Sequence, residues 1–364
     1  MYLKLCKILF EKFKICMSLE MRLGVKMKRL RAEWEKQRAI LMAFPHKNSD
    51  WLSCLEDARD NFVAIIEAIL EFESVVLCVD PLDIEGDLII REVFSEAIRL
   101  QRLRIYRIAF NDTWARDFGV LTLDEGDKNA LLDFMFNGWG LKFASNLDNA
   151  VNRALKENGE FGEEELRNGG MILEGGSIES DGSGVILTNT QCLLESNRNS
   201  WLSQIEIEEK LKQTFGAKKI LWLHSGYLAG DDTDSHIDTL ARFISPTQIA
   251  YIACDDENDE HYEELCKMEQ ELRELRDLQG RAYELIKLPF VAPIYDSKQR
   301  LPATYANFLF VNGGLLVPVY GDEKDALALE ILQNALPHLK VLGIPCQTLI
   351  KQHGSLHCVT MQLY

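Results

Sequence analysis

One rhythm constrains this chain more than any other feature. Two apolar, strand-like runs are followed by an amphipathic helical stretch and a further apolar run, and the pattern recurs about five times. AILMAFP (39–45) reads as a buried strand, and residues 53–72 carry Phe62, Ile65, Ile66, Ile69 and Leu70 at helical spacing. VVLCV (75–79) is the returning strand, stopped by Asp80 and Pro81. Further on, residues 171–189 read as two strands joined by a tight turn over Asp181, Gly182, Ser183 and Gly184. Residues 305–321 make another pair around Asn312, Gly313 and Gly314. Helices are expected near 147–158, 201–215, 258–279 and 323–336. The units share no sequence identity, so the repeat is architectural. No Pro-, Gly- or Ser-rich linker interrupts it, and residues 27–364 are expected to form a single α/β domain.

Residues 1–26 stand apart. Over residues 1–31 nine lysines and arginines face two glutamates, and the lysines break up the apolar residues. There is no clean signal-peptide core and no small-residue cleavage site. A basic amphipathic helix touching a membrane is one reading; a non-folding appendage, removed from the domain that begins near Met27, is the plainer one. The chain of 364 residues has a formal charge of −17, which argues against nucleic acid or an anionic membrane as partner and suits a cationic small molecule. No apolar run reaches the length of a membrane span. The nine cysteines form no spaced framework, and Cys78 and Cys254 sit inside apolar runs, so a reducing compartment, the cytoplasm, is expected. There is no CxxC pair to hold zinc by thiolates.

The densest chemistry is in GDDTDSHIDTLARF (230–243). If that segment is extended, His236 and Asp238 project from one face. Asp-x-His-x-Asp, from Asp234 through His236 to Asp238, could ligate a divalent metal. Alternatively the carboxylates hold a cationic substrate while His236 moves its protons. A charged loop with a structural histidine is the third reading. Three other segments concentrate polar groups. NDTWARDFG has Asp112, Trp114, Arg116 and Asp117; LEGGS places Glu174 before two glycines; HGSLHCVT has Cys358 after His357. A thiolate, an imidazole and several carboxylates suit covalent attack on a planar cation. Carboxylates can grip the five N–H donors of a guanidinium while sulfur reaches its central carbon.

NDTWARDFG, LEGGSIESDG, LTNTQCLLESNRN, GDDTDSHIDTLARF, YANFLFVNGGLLVPVYGD and GSLHCVT, in that order from about Trp34 to Gln362, closely resemble the agmatine deiminase family. That family lies in the guanidine-modifying superfamily, beside the bacterial peptidylarginine deiminases. The resemblance implies a five-bladed α/β-propeller (pentein) fold. It implies Cys358 as nucleophile and His236 as general acid/base. Asp117 and Asp238 would bind the guanidinium, Glu174 would orient and charge His236, and Trp114 would line the aliphatic tail. It implies Asp232 near the substrate's far amine, no metal or organic cofactor, and a homodimer as the candidate assembly.

Several positions depart from the family pattern. Asp232 stands where the family has glutamate, and Ser235 where it has glycine beside the histidine. The glycine run before the cysteine reads His353-Gly354-Ser355, and WARDFGV lacks the usual Gly-Pro. None removes a catalytic group, so guanidine deimination is expected, with agmatine first and free arginine or peptidylarginine as alternatives. A manganese ureohydrolase is the rival of another class, but the second aspartate-rich segment that two metals require is missing from the sequence.

Overall fold

The computed structural model describes residues 28–364. The expectation of a detached basic segment over residues 1–26 lies outside the described residues. Five sheets of three or four strands carry the fold, together with a two-stranded hairpin over Tyr295–Asp296 and Gln299–Arg300. All five repeat one pattern. A first strand pairs antiparallel with a second, a helix follows, and a third strand returns parallel to the second. Parallel neighbours need such a crossover, and a helix is the usual way to make it.

Gln248–Ile252 is a clear example. It pairs antiparallel with Ala241–Ser245, crosses over through the helix Tyr262–Glu274, and pairs parallel with Glu284–Leu288. The unit that holds Ala39–Ala43 takes its first strand from the other end of the chain, because Met361–Leu363 pairs antiparallel with Ala39–Ala43. Arg29–Leu30 is added to the sheet of Leu121–Asp124.

Helical spacing places the core as expected. Phe62, Ile65, Ile66 and Ile69 of the helix Leu55–Leu70 are all fully buried; burial of each such side chain contributes roughly 1.5–3 kcal/mol. The helix Gln204–Phe215 begins with a reciprocal Ser203–Glu206 cap and ends at Gly216 with φ +67°. Leu121–Asp124, Glu165–Ile172 and Glu284–Leu288 escape the sequence pattern. The first has only four residues, and the other two are outer strands of their sheets and half exposed, so the apolar alternation is diluted. The helix expected over 258–279 stops at Glu274. Beyond it the chain turns at Asp277, whose carboxylate accepts from the backbone of Gln279 and Arg281. Among the described residues no helix is long and apolar enough to cross a membrane.

The repeat positions chemistry in a simple way. Each connection that leads into the first strand of a unit brings polar residues to a common centre: 108–120 with Asp117, 173–178 with Glu174, 224–240 with His236 and Asp238, 289–308 with Asn307, and 346–360 with Cys358.

Candidate active site

Gly176 marks the centre. A Cβ on it would lie 2.6 Å from His236 Nδ1, 3.0 Å from Asp117 Oδ1 and 3.1 Å from Asp238 Oδ2. Only glycine lets these three groups converge. The glycine pair after Glu174 thus admits neighbouring side chains, and the Gly176 N–H donates to Asp117 Oδ1 at 3.1 Å.

The extended conformation that would put His236 and Asp238 on one face does not form. Asp234 and Ser235 adopt left-handed φ of +67° and +64°, and Ile237–Thr239 is a single 3-10 turn. His236 and Asp238 therefore meet at Gly176 through a tight turn, not through strand alternation. Ser235 occupies a position where glycine would be unstrained. Its N–H donates to Asp231 Oδ2 at 2.7 Å, and its hydroxyl donates to Gln191 at 2.8 Å. The Asp-x-His-x-Asp metal triad does not assemble either. Asp234 turns away to Arg198 at 2.6 Å and Lys142 at 2.8 Å.

Asp117 is buried in the short helix Ala115–Phe118. Its Oδ2 accepts from Trp139 Nε1 at 2.9 Å, and its Oδ1 lies 3.6 Å from His236 Nδ1. Burial pushes its carboxyl up to about 6; His236 opposes the shift, and Asp238 and Glu174 add to it. His236 is raised well above the usual imidazole range. Burial acts against its charged form, but the negative charge of Asp117, the neighbouring Cys192 sulfur and the negative charge of Glu174 outweigh burial. Its Nε2 is buried without a hydrogen-bond partner. Glu174 is close, with ligand atoms of Glu174, Cys192 and His236 all within 4.8 Å of one another. Both Glu174 oxygens, however, accept from Arg198 Nε at 2.9 and 3.1 Å. Glu174 thus acts on His236 through charge, while its hydrogen bonds go to Arg198.

Asp238 is fully buried, with Oδ2 accepting from His357 Nδ1 at 2.7 Å and Oδ1 left without a partner. Burial would raise its carboxyl, but the His357 hydrogen bond and charge hold it below the usual range. His357 itself is pushed down by burial and by Arg116 and Arg242. A neutral imidazole still donates Nδ1–H, so the hydrogen bond is the part of that stabilisation that stands.

Asn307, like Trp139, is a site residue that sequence reasoning missed. Its Oδ1 accepts from the backbone N–H of His357 at 2.9 Å and of Cys358 at 3.3 Å, and from the Cys358 thiol at 3.4 Å. The signal was its place in YANFLF, before the first strand of a unit, where the other four connections each carry a site residue. Cys358 is buried, and its thiol lies well above the ordinary range. Burial is the main cause and the charges of Asp238 and Asp117 add to it, while Ser355 and Asn307 pull the other way.

A cavity of about 300 Å³ opens from Cys358 and Asp117. Trp114 and Trp139, with ring centroids 6.4 Å apart, form its walls, and Asp50, Asp112 and Asp232 line it further out. Trp114 packs so closely on Gly354 that a Cβ there would sit 2.1 Å from the indole. Burial and Asp231 raise the Asp232 carboxyl to about 6, against His353 and Lys142.

A buried thiol and carboxylate at one end of a tryptophan-walled acidic cavity, with the His236 imidazole 3.6 Å behind that carboxylate, define a hydrolase of the pentein kind, a mixed α/β protein built to act on a C–N bond of a cationic group. The chain belongs to the Porphyromonas-type peptidyl-arginine deiminase family, whose model matches residues 29–363. It is 32% identical over 361 residues to the agmatine deiminase of Pseudomonas aeruginosa, covering 92% of this chain and 95% of that one. An agmatine deiminase of C. jejuni, solved with substrate bound, is 41% identical with a TM-score of 0.85, over 93% of this chain and 96% of the other. A solved structure named provisionally as a peptidyl-arginine deiminase is 53% identical with a TM-score of 0.89, over 93% and 99%.

Proposed function

We propose that the chain is an agmatine deiminase, converting agmatine and water to N-carbamoylputrescine and ammonia. The observation that carries this reading is the convergence at Gly176, where an imidazole and two carboxylates meet beside Cys358 and one carboxylate oxygen, Asp238 Oδ1, is left open for a donor. The names of the relatives support it. In this reading the five repeated units close into a five-bladed propeller over residues 28–364, with the five connections facing its centre.

Asp117 and Asp238 grip the guanidinium by its paired N–H donors. Trp114 and Trp139 flank the aliphatic tail, and Asp232 receives the distal ammonium. Burial first, and then the two carboxylates, hold the thiol protonated; arrival of the cation cancels the field of the carboxylates and favours a neighbouring anion, so the thiol ionises and its proton leaves to water. The sulfur forms a bond to the central carbon. His236, already protonated, gives its proton to one nitrogen; the C–N bond breaks and ammonia departs. An amidino-thioether remains on Cys358. Neutral His236 then takes a proton from water as the oxygen bonds to carbon, the C–S bond breaks, and the O–H proton passes to solvent to leave the ureido product. All steps use the chain's own residues and water.

Turnover of agmatine, free arginine and an arginine peptide tests the substrate. Agmatine is expected to have the highest kcat/KM. A peptide or free arginine turned over faster would move the assignment to that guanidine.

A further inference from the structure

A buried guanidinium behind His236 joins two parts of the site that are far apart in sequence. Arg198 lies in the turn Ser196–Asn199, and its side chain is wholly buried. Nε donates to both oxygens of Glu174, at 2.9 and 3.1 Å. Nη1 donates to Asp234 Oδ2 at 2.6 Å, and Nη2 to the Thr233 carbonyl at 2.9 Å. Thr233 and Asp234 belong to the connection that carries His236. Glu174 is one of the charges that keep His236 protonated.

That connection needs holding. Asp234 and Ser235 are consecutive non-glycine residues with left-handed φ, a conformation costing of order 1–3 kcal/mol each that persists only where surrounding contacts over-determine it. Arg198 supplies two of those contacts. Lys142 supplies two more, to the other oxygen of Asp234 at 2.8 Å and to the Asp232 carbonyl at 2.6 Å. The charged and titratable groups around the imidazole are Asp117, Glu174, Cys192 and Asp238, with Arg198 behind Glu174.

We propose that Arg198 is a positioning residue for the reaction: one guanidinium fixes both the turn that aims the His236 imidazole and the carboxylate whose charge tunes it. The inference rests on the reading of His236 as the group that moves protons. It extends the site to a residue that makes no contact with the cavity.

The test uses the full chain with Arg198→Met and Arg198→Lys, and two readouts. The first is steady-state turnover of agmatine across pH. The second is titration of the His236 imidazole by NMR in the substrate-free protein, assigned by its loss in His236→Gln. For Arg198→Met, kcat per folded site is expected to fall about 10²-fold with KM nearly unchanged, as for a lost orienting contact. Losing a cation favours imidazolium, so the alkaline limb of kcat and the imidazole midpoint both move to higher pH. Arg198→Lys recovers part of both changes. A wild-type kcat per folded site, or a fall in kcat with limb and midpoint unmoved, overturns the proposal. If Arg198→Met does not fold, Asp234→Asn decides: it keeps the Arg198–Glu174 pair and is expected to lower kcat at constant KM, and an unchanged kcat overturns the proposal. If wild type turns over no guanidine, the deimination reading fails, while the imidazole midpoint still decides whether Arg198 is coupled to His236.

Discussion

Two buried histidines flank Asp238, and their surroundings differ in a way that separates chemistry from support. His357 has both ring nitrogens engaged, Nδ1 donating to Asp238 at 2.7 Å and Nε2, beside Glu33, accepting from Arg242 at 3.0 Å. Glu33 in turn meets Arg116 at 3.0 Å and Arg242 at 2.5 Å, and Arg242 also pairs with Glu179. Burial alone would raise Glu33, but His357, Arg242 and Arg116 hold it well below the usual range. On the other side, His236 Nε2 and Asp238 Oδ1 have no hydrogen-bond partner, Asp117 is pushed up to about 6, and the Cys358 thiol is pushed up as well. Among the described residues no arginine side chain donates a hydrogen bond to Asp117 or Asp238. The rear half is a completed ionic network; the front half is the same kind of network with one guanidinium missing, the one the substrate would bring. Uncompensated burial of this kind is expensive, and it collects at functional sites.

Substitutions on the two sides sharpen that contrast. Cys358→Ala is expected to reduce turnover by on the order of 10⁴-fold or more, as loss of a nucleophile does, with an unchanged circular-dichroism spectrum. Asp238→Asn is expected to lower kcat/KM by about 10²-fold or more, since losing one partner of a buried charge pair costs about 2–5 kcal/mol. Wild-type capture of agmatine by that variant would remove the carboxylate grip. In the rear network Arg242→Met should show the opposite profile. Unfolding by denaturant should find it less stable by about 3–5 kcal/mol, while the activity of the folded fraction changes far less than in Asp238→Asn.

A pH titration separates the halves without mutation. Asp117 must be ionised to hold a guanidinium, and its carboxyl is raised to about 6, so kcat/KM should fall as pH drops through about 6. Glu33 is held low, so it remains ionised and the rear network stays intact over that range. A kcat/KM that stayed flat down to pH 4 would contradict the assignment of Asp117. The smallest effect belongs to residues 1–26: their deletion should leave kcat/KM at the wild-type value, and an insoluble or inactive product would show that they belong to the catalytic unit.

Much of this was legible in the sequence because apolar periodicity and local polar clusters are local signals. Helix and inner-strand positions follow from spacing, and Asp117, His236, Asp238 and Cys358 announce themselves by residue type. What stayed hidden depends on contacts between distant segments. Asn307 carries no charge, and its value comes only from meeting the backbone of His357 and Cys358. Arg198 reads as one arginine in a polar turn until it is seen between Glu174 and Asp234. The turn at Asp234 and Ser235 is not legible in the sequence because left-handed φ at non-glycine residues is set by neighbours such as Arg198, Lys142 and Asp231 and not by local preference. The outer strands Glu165–Ile172 and Glu284–Leu288 lack alternation because solvent covers much of them.

The covalent step offers the most direct measurement. Agmatine labelled at the guanidine carbon, mixed with enzyme and quenched in acid during turnover, should leave label on the peptide that contains Cys358, and none in Cys358→Ala. Product formed with no label on that peptide, or labelled product released by Cys358→Ala at the wild-type rate, would contradict a thiol attack at this site.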